Sequence, residues 1–174
     1  MPVEASSLVP VPMLVGLDST EVEEIAAQMT AQNIKAGQTI IREKDAPGHP
    51  VYVLLAGVVD VVKQGVDRRA HIIANLSAPS VFGEIEMLAR RPAIASVVAA
   101  TDVTLALLHR GAFDELVAAG RPAVMKIIRN LAQTLSYRLA ATDERLTAFA
   151  SIATDHERAQ LGEVRALLYS GWSP

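Results

Sequence analysis

The sequence contains no cysteine and no excess of basic residues. Without cysteine, the chain has no disulfide framework, no thiolate zinc site and no iron–sulfur cluster. It has 16 lysine and arginine residues against 19 aspartate and glutamate residues, which gives a formal net charge of −3. A protein that neutralises nucleic-acid phosphates normally carries a basic excess. We therefore expect no DNA partner.

Long apolar runs are also missing. No stretch approaches the ~20 apolar residues of a membrane-spanning helix, and Pro2, Glu4, Pro10 and Pro12 interrupt any signal-peptide-like run at the N terminus. We expect a cytoplasmic chain with no membrane partner. About half of its 174 residues are hydrophobic but only 4% are aromatic, so one domain packed mainly by aliphatic side chains is expected.

The N-terminal part predicts an arm followed by a short helix. Residues 1–17 begin with a proline-rich stretch and are expected to form a loosely attached arm. Asp18 suits a helix N-cap, and Glu21, three residues later, completes a capping-box pattern. The apolar spacing that follows predicts a short amphipathic helix over residues 19–30.

The segment between Gln32 and His109 alternates short Val-, Ile- and Leu-rich runs with turn residues. Runs of this kind, spaced by about ten residues, are typical of a compact antiparallel barrel or sandwich. We assign residues 18–120 to this domain and expect one helical interruption, at Glu84–Ala89. The predicted strands are Thr39–Arg42, Val51–Leu55, Val58–Lys63, His71–Leu76, Ala95–Ala99 and Val103–Leu108.

A long helix is predicted in residues 121–174, which we treat as a C-terminal helix and tail. A short helix around Ala112–Ala118 precedes it, and Pro122 suits its first turn. Apolar residues then recur every three or four positions for about eight turns, more than a small roll can cover. The first half can pack on the roll, but the whole stripe favours a partner helix across a homodimer axis. The expected dimer-helix residues are Ile128, Leu131, Leu135, Leu139, Leu146 and Phe149.

The segment from Phe82 to Val97 resembles the phosphate-binding cassette of cyclic-nucleotide-binding domains. The family pattern reads roughly F-G-E-[LIM]-A-L-L-x-x-x-P-R-x-A-[TS]-V. A second segment, from Leu131 to Leu146, is similar to the dimerising helix of the catabolite activator protein group of bacterial regulators. The resemblance implies an α+β, mainly β fold: an antiparallel β-roll or jelly roll with a short N-terminal helix and a long C-terminal dimerisation helix. The cassette matches without a gap at Phe82, Gly83, Glu84, Ile85, Leu88, Pro92, Ala95, Ser96 and Val97.

The resemblance also implies how a ligand would be held. In such a cassette, backbone N–H groups at the start of a short helix cradle a phosphate. Glu84 would accept a hydrogen bond from the ribose 2′-hydroxyl, and Ser96 would offer its hydroxyl to the phosphate. Thr142 and Asp143 match the positions of the long helix that contact the base, the second from the partner subunit. The implied ligand-binding residues are Gly83, Glu84, Ile85, Ala93, Ala95 and Ser96.

Structural interpretations of the same residues stay open beside these roles. Gly83 can serve simply as a turn glycine, and Glu84 as a carboxylate that favours the start of a helix. Ser96 fits an ordinary strand residue. Thr142 lies on the apolar stripe of the long helix and suits the core of a dimer.

Two positions depart from the cassette pattern. Ala93 stands where the family has arginine, and Glu86 stands where it has a small residue. The missing arginine removes a charge-assisted pair worth about 1.5–3 kcal/mol, or about one to two decades of affinity, and Glu86 adds negative potential if it faces inward. Arg90 and Arg91 are alternative cations. We expect weak or absent binding of cyclic AMP.

Catalysis has no visible carrier in this sequence. It has no nucleophile elbow, no Gly-rich nucleotide loop and no metal-hydrolase signature, and its four histidines lack a metal-ligand spacing. We therefore expect a non-enzymatic signalling or regulatory module that requires no cofactor and could hold cyclic AMP, cyclic GMP or another small ligand.

Two other functions compete with this one. The chain could be a structural or adaptor dimer that binds another protein through the roll or the tail. A transcription factor is disfavoured, because the residues after Phe149 are too few for the winged helix-turn-helix that the resemblance would lead one to expect.

Overall fold

The computed structural model describes residues 3–65 and 67–152. Within this range the chain forms two four-stranded antiparallel sheets, with helices before and after them. The expected α+β, mainly β jelly roll with a long C-terminal helix is confirmed.

Eight strands and five helices follow one another in the described part of the chain. The helices are α1 (Ala5–Leu8), α2 (Ser19–Ala27), α3 (Glu84–Ala89), α4 (Arg110–Ala118) and α5 (Pro122–Ile152), with a 3-10 turn at Pro12–Leu14. The strands are β1 (Met29–Ile34), β2 (Thr39–Ile41), β3 (Val51–Ala56), β4 (Val58–Gln64), β5 (Ala70–Ser77), β6 (Ser80–Phe82), β7 (Ser96–Ala99) and β8 (Val103–Leu108).

The two sheets have the strand orders β1-β8-β3-β6 and β2-β7-β4-β5. Strand β3 pairs with β8 in the middle of the first sheet. Because successive side chains of a strand point to opposite faces, Val51 and Val53 of β3 pack with the helices, whereas Tyr52 and Leu54 pack with the second sheet. The first sheet is therefore covered on both faces.

The N-terminal residues pack into the core, so the expectation of a loosely attached arm over residues 1–17 is wrong for its described part. Leu8, Val11 and Met13 are fully buried in the cluster formed with the helices. The Asn130 side-chain amide of α5 also donates to the carbonyl oxygens of Met13 and Val15, at 3.0 and 2.8 Å. The prolines shorten the local helices but leave the apolar residues between them free to pack.

The capping box that begins α2 is confirmed. The Asp18 carboxylate accepts from the Glu21 backbone N–H, and the Glu21 carboxylate accepts from the Asp18 N–H, both at 2.9 Å. The helix ends at Ala27 and not at residue 30, because Met29 pairs with Leu108 as the first residue of β1. Long-range strand pairing thus overrides the local helical spacing.

Helix α5 begins at Pro122 as expected, and its first turns belong to the core. Ala123, Val124, Ile127 and Leu131 are fully buried in the cluster formed with the other helices. The chain divides into two compact units between Ala132 and Gln133, so the first turns of residues 121–174 belong with the roll and not with a separate C-terminal part.

The second unit is described up to Ile152, and none of its described side chains from residue 133 to 148 is buried. Among residues 3–65 and 67–152, no helix combines the length and the apolar character needed to cross a membrane.

Two glycines with positive φ offer a matched test of the turns. Gly57 has φ +88°, and a Cβ atom there would lie 2.4 Å from the carbonyl oxygen of Asp102, whereas Gly37 has φ +81° and open space around it. We expect Gly37→Ala to lower the free energy of unfolding by about 1–2 kcal/mol through backbone strain alone. Gly57→Ala should cost about 1–3 kcal/mol more, because it also overpacks the turn. Urea unfolding measures both, and equal losses would contradict the crowding argument.

The ion pair between α2 and α5 predicts a pH dependence. The Lys126 ammonium, 2.5 Å from the Glu21 carboxylate, together with the capping-box N–H, lowers the pKa of Glu21 below its ordinary value of 4.5. A depressed carboxyl pKa stabilises the fold above the unfolded-state pKa, and this contribution is lost as the pH falls through the folded-state pKa. Glu21→Gln should therefore lower stability at pH 7, and its difference from wild type should shrink below about pH 4.5.

Thermal unfolding followed between pH 7 and pH 3 checks this expectation. Glu23→Gln, an exposed position on the same helix, is the control for the loss of one charge. A Glu21→Gln difference that stays constant down to pH 3 would contradict the assigned ion pair.

Candidate ligand-binding cassette

Strand β6 delivers the chain to helix α3 through a glycine that the fold requires. Gly83 is the N-cap of α3 and has φ +80°. A Cβ atom at this position would lie 2.8 Å from the carbonyl oxygen of Pro50. The close approach of the segment before β3 therefore excludes a side chain, so Gly83 has a structural role whether or not a ligand binds.

Helix α3 has the predicted bounds, Glu84–Ala89, and carries two buried carboxylates in its first turn. Glu84 is 2% exposed and Glu86 is 5% exposed. Negative side chains at a helix N-terminus interact favourably with its free N–H groups. Among the described residues, the buried side chains that carry a formal charge are these two, and both are negative.

The loop between α3 and β7 is attached on one side to Glu86. The Glu86 Oε1 atom accepts a hydrogen bond of 3.0 Å from the backbone N–H of Ile94. The sequence left open whether Glu86 faces inward. In the structure its side chain is buried.

The same loop is attached on its other side to the turn after β2. Ala93 is buried, its N–H donates to the Asp45 carbonyl oxygen at 3.0 Å, and its own carbonyl accepts from the Lys44 N–H at 2.8 Å. Ala95 is buried as well. The methyl group at residue 93 thus lies inside the protein; that an arginine is replaced here stays what the cassette resemblance implies.

Ser96 lies at the start of β7, and its hydroxyl already has a partner. The Ser96 Oγ atom accepts from the Glu43 backbone N–H at 2.9 Å. This bond holds the end of β2 against β7. A contact of Ser96 with a phosphate stays a prediction.

The two arginines proposed as alternative cations have exposed side chains. Arg90 ends α3 in the left-handed conformation, with φ +52°, and its guanidinium lies 3.7 Å from the Asp114 carboxylate of α4. Arg91 follows it on the same exposed loop. Compensation of the missing cassette arginine by Arg90 or Arg91 stays a prediction.

A cation that the sequence did not reveal, Lys63 of β4, reaches the cassette. Its ammonium donates to the Ile94 carbonyl oxygen and lies 3.6 Å from the Glu43 carboxylate. Lys63 precedes Ile94 by 31 residues, and the two are neighbours because β4 pairs with β7, Val62 opposite Ser96. No local pattern in the sequence signals this contact.

Arg110 connects the cassette helix to α4. One guanidinium nitrogen donates to the Met87 carbonyl oxygen of α3 at 2.9 Å, and another lies 3.3 Å from the Asp114 carboxylate. This link between α3 and the following helix was also missed from the sequence, since no motif marked Arg110.

Two aromatic rings stack where the cassette begins. Tyr52 of β3 lies opposite Phe82 of β6 in the sheet, with ring centroids 4.9 Å apart and planes inclined by 6°. Burial raises the pKa of the Tyr52 phenol, and the nearby Asp45 carboxylate raises it further. Phe82, the first residue of the cassette pattern, is therefore a packing residue.

The predicted dimer-helix residues fall into two groups. Leu131 is fully buried in the protein's own core and Ile128 packs against that core. Leu135, Leu139 and Leu146 are not buried. The side chain of Phe149 lies outside the described residues, and partner contacts by this stripe stay a prediction.

The two predicted base-contacting residues lie on the described part of α5. The Thr142 hydroxyl donates to the Arg138 carbonyl oxygen one turn earlier, at 2.8 Å, and Asp143 is half-buried. Contacts of either residue with a base stay a prediction.

Within the described residues, the cassette carries two buried carboxylates and no buried cation. Among the described residues, no group of three or more histidine, aspartate or glutamate side chains could hold a metal ion. Hydroxyl or N–H donors of a ligand could bond to the carboxylates, whereas a phosphate would find no buried counter-charge.

Comparison with known proteins agrees with this architecture. Residues 31–119 match the cyclic nucleotide-binding domain family. Over 106 residues, 61% of this chain, the sequence is 39% identical to the cAMP-dependent protein kinase regulatory subunit of Aspergillus niger, of which the match spans 25%. The chain thus spans about a quarter of the length of that relative.

Two solved structures are similar over most of the chain. A cyclic nucleotide-binding domain from Methylobacillus flagellatus KT has a TM-score of 0.75 at 25% identity and covers 81% of each chain. The regulatory subunit of a cAMP-independent protein kinase A from Trypanosoma brucei, solved as a variant bound to cAMP, has a TM-score of 0.65 at 29% identity, over 74% of this chain and 44% of that chain. The sequence match and the shared fold agree: this chain belongs to the cyclic nucleotide-binding domain family.

Proposed function

We propose that this chain is a non-enzymatic regulatory module of the cyclic nucleotide-binding type that binds cyclic AMP weakly or not at all. The observation that carries the proposal is the charge of the cassette. Its buried charged groups are Glu84 and Glu86, and Ala93 supplies no counter-charge. Burying a phosphate beside carboxylates without a paired cation is costly.

The T. brucei structure supports this proposal through the spacing of its substitutions. Its cAMP-bound form carries a glutamate-to-alanine change, followed seven and eight residues later by threonine-to-arginine and valine-to-alanine changes. In this chain Glu86, Ala93 and Ile94 stand at the same spacing. The chain therefore has the glutamate and lacks the arginine, as the unsubstituted T. brucei protein of a cAMP-independent kinase does.

The proposed module acts as a homodimer through α5. Leu135, Leu139 and Leu146 continue the apolar spacing of the helix beyond Leu131, the last fully buried residue of that spacing. An apolar stripe at three- and four-residue intervals is the pattern that a parallel helix pair buries. Leu139, which is 47% exposed, is the clearest member of this stripe.

An adaptor that binds another protein through the roll is the second candidate. Strand β5 lies at the edge of its sheet, and its Ile72 and Ile73 side chains are 59% and 49% exposed. An exposed apolar edge strand offers backbone groups and side chains to another chain. This surface favours a protein partner independently of the cassette.

Calorimetric titration of the purified protein with cyclic AMP tests the proposed weak binding. We expect no saturable heat at ligand concentrations up to high micromolar, because the phosphate lacks a paired cation. A melting screen with cyclic AMP, cyclic GMP and other small metabolites extends the test, since a ligand at 100 times its Kd stabilises by about 2.7 kcal/mol. A low-micromolar Kd for cyclic AMP would overturn the proposal, and a screen without any shift would favour the adaptor.

Light scattering of the purified chain tests the dimer. The wild-type protein should have the mass of a dimer, and Leu139→Asp should shift it towards the monomer by placing a charge in the apolar stripe. Tyr137→Asp is the matched control, because Tyr137 is 77% exposed and its position, two residues after Leu135, lies off the stripe. A wild-type monomer, or equal effects of the two substitutions, would contradict the assigned interface.

A further inference from the structure

We propose that the Glu86 carboxylate is a tethered anion that occupies the phosphate position of the cassette and thereby selects against phosphate-bearing ligands. This inference rests on the proposed function and deepens it. The loss of an arginine only removes an attraction for the phosphate. A carboxylate fixed at the anion position also repels the phosphate and competes with it for the same N–H donor.

The first argument is the geometry of the Ile94 peptide. Its N–H donates to Glu86 at 3.0 Å and its carbonyl accepts from the Lys63 ammonium. Ile94 directly follows Ala93, the position at which a cassette arginine would meet the ligand. The N–H that an incoming phosphate oxygen could use there is already bonded to a carboxylate oxygen of the protein itself.

The second argument is electrostatic. A carboxylate and a phosphate are both anions that accept hydrogen bonds from N–H groups, so they compete for the same donor. Glu86 is only 5% exposed, so water screens little of the repulsion between its carboxylate and a neighbouring anion. A bound phosphate would have to displace Glu86 or lie against it.

The third argument concerns two neighbouring cations, Lys63 and Arg90, which already have partners. Lys63 bonds to the Ile94 carbonyl and lies 3.6 Å from Glu43. Arg90 lies 3.7 Å from Asp114 on the exposed side of the loop. An arginine introduced at residue 93 would stand next to Ile94, whose N–H binds the Glu86 carboxylate, and we expect the new guanidinium to pair with that carboxylate.

The experiment is a cycle of four proteins: wild type, Glu86→Ala, Ala93→Arg and the double variant, each titrated with cyclic AMP. Ala93→Arg alone should gain little affinity, because Glu86 neutralises the new guanidinium. The double variant should bind about ten- to a hundredfold more tightly than Ala93→Arg, the range expected for a charge-assisted pair. Because the wild type is expected to give no measurable Kd, the comparison that decides the role of Glu86 is that between Ala93→Arg and the double variant.

A charge-matched control separates local exclusion from a general effect of net charge. Asp102 is another carboxylate that accepts from a backbone N–H, that of Ala36 at 3.0 Å, but it is exposed and outside the cassette. Asp102→Ala combined with Ala93→Arg removes the same charge and the same kind of bond, and it also removes an exposed ion pair with Lys35 at 2.7 Å. It should not tighten binding beyond Ala93→Arg alone.

The cycle is repeated with Glu86→Gln, which removes the charge but keeps a hydrogen-bond acceptor for the Ile94 N–H. This variant replaces Glu86→Ala if the alanine protein does not show a cooperative unfolding transition. The inference is overturned if Ala93→Arg alone gains the full affinity, or if neither double variant binds cyclic AMP. The wild-type titration by itself decides the proposed weak binding, whereas the comparison of Ala93→Arg with the double variants decides the role of Glu86.

Discussion

The structure depends on the pairing of β3 with β8, whose sheet is buried on both faces. The two strands are rich in aliphatic residues, and alternate side chains enter different clusters: Val53 packs with the helices, and Leu54 with the second sheet. Strands β1 and β6 complete this sheet on either side. Because β6 leads directly into α3, the position of the cassette is fixed by the double-sided core and not by any ligand.

The cassette combines a backbone set by packing with two buried carboxylates. Gly83 keeps its positive φ because the Pro50 carbonyl approaches too closely for a side chain, and Glu84 remains buried at the start of α3. These features belong to the packing and persist without a phosphate. Ala93 is also buried, and Glu86 both carries a carboxylate and bonds to the Ile94 N–H, so these two positions join the packing of the loop to the charge of the site. Family membership therefore fixes the shape of the site and leaves its ligand preference to a few side chains.

Local patterns predicted well what local interactions determine. The capping box at Asp18, the bounds of α3 and the start of α5 at Pro122 follow from neighbours within one helical turn. The pattern missed the polar strand β1 and the three-residue β6, whose formation depends on pairing with β8 and β3. Local proline content suggested a loose N-terminal arm, although the intervening apolar residues pack against distant helices. The cassette motif likewise located Glu86, but its bond to Ile94 was beyond any spacing rule.

Two of the contacts that sequence reasoning missed join segments far apart in the chain and meet at α3 and the loop that follows it. Lys63 meets Ile94 across the β4–β7 pairing, and Arg110 binds the Met87 carbonyl near the end of α3. Asp114 then receives both Arg110 and Arg90. A displacement of the cassette loop or of α3 would therefore have to break or rearrange polar contacts with β4 and α4. The loop after α3 is thus held largely by polar and charged groups, among them Glu86 and Lys63.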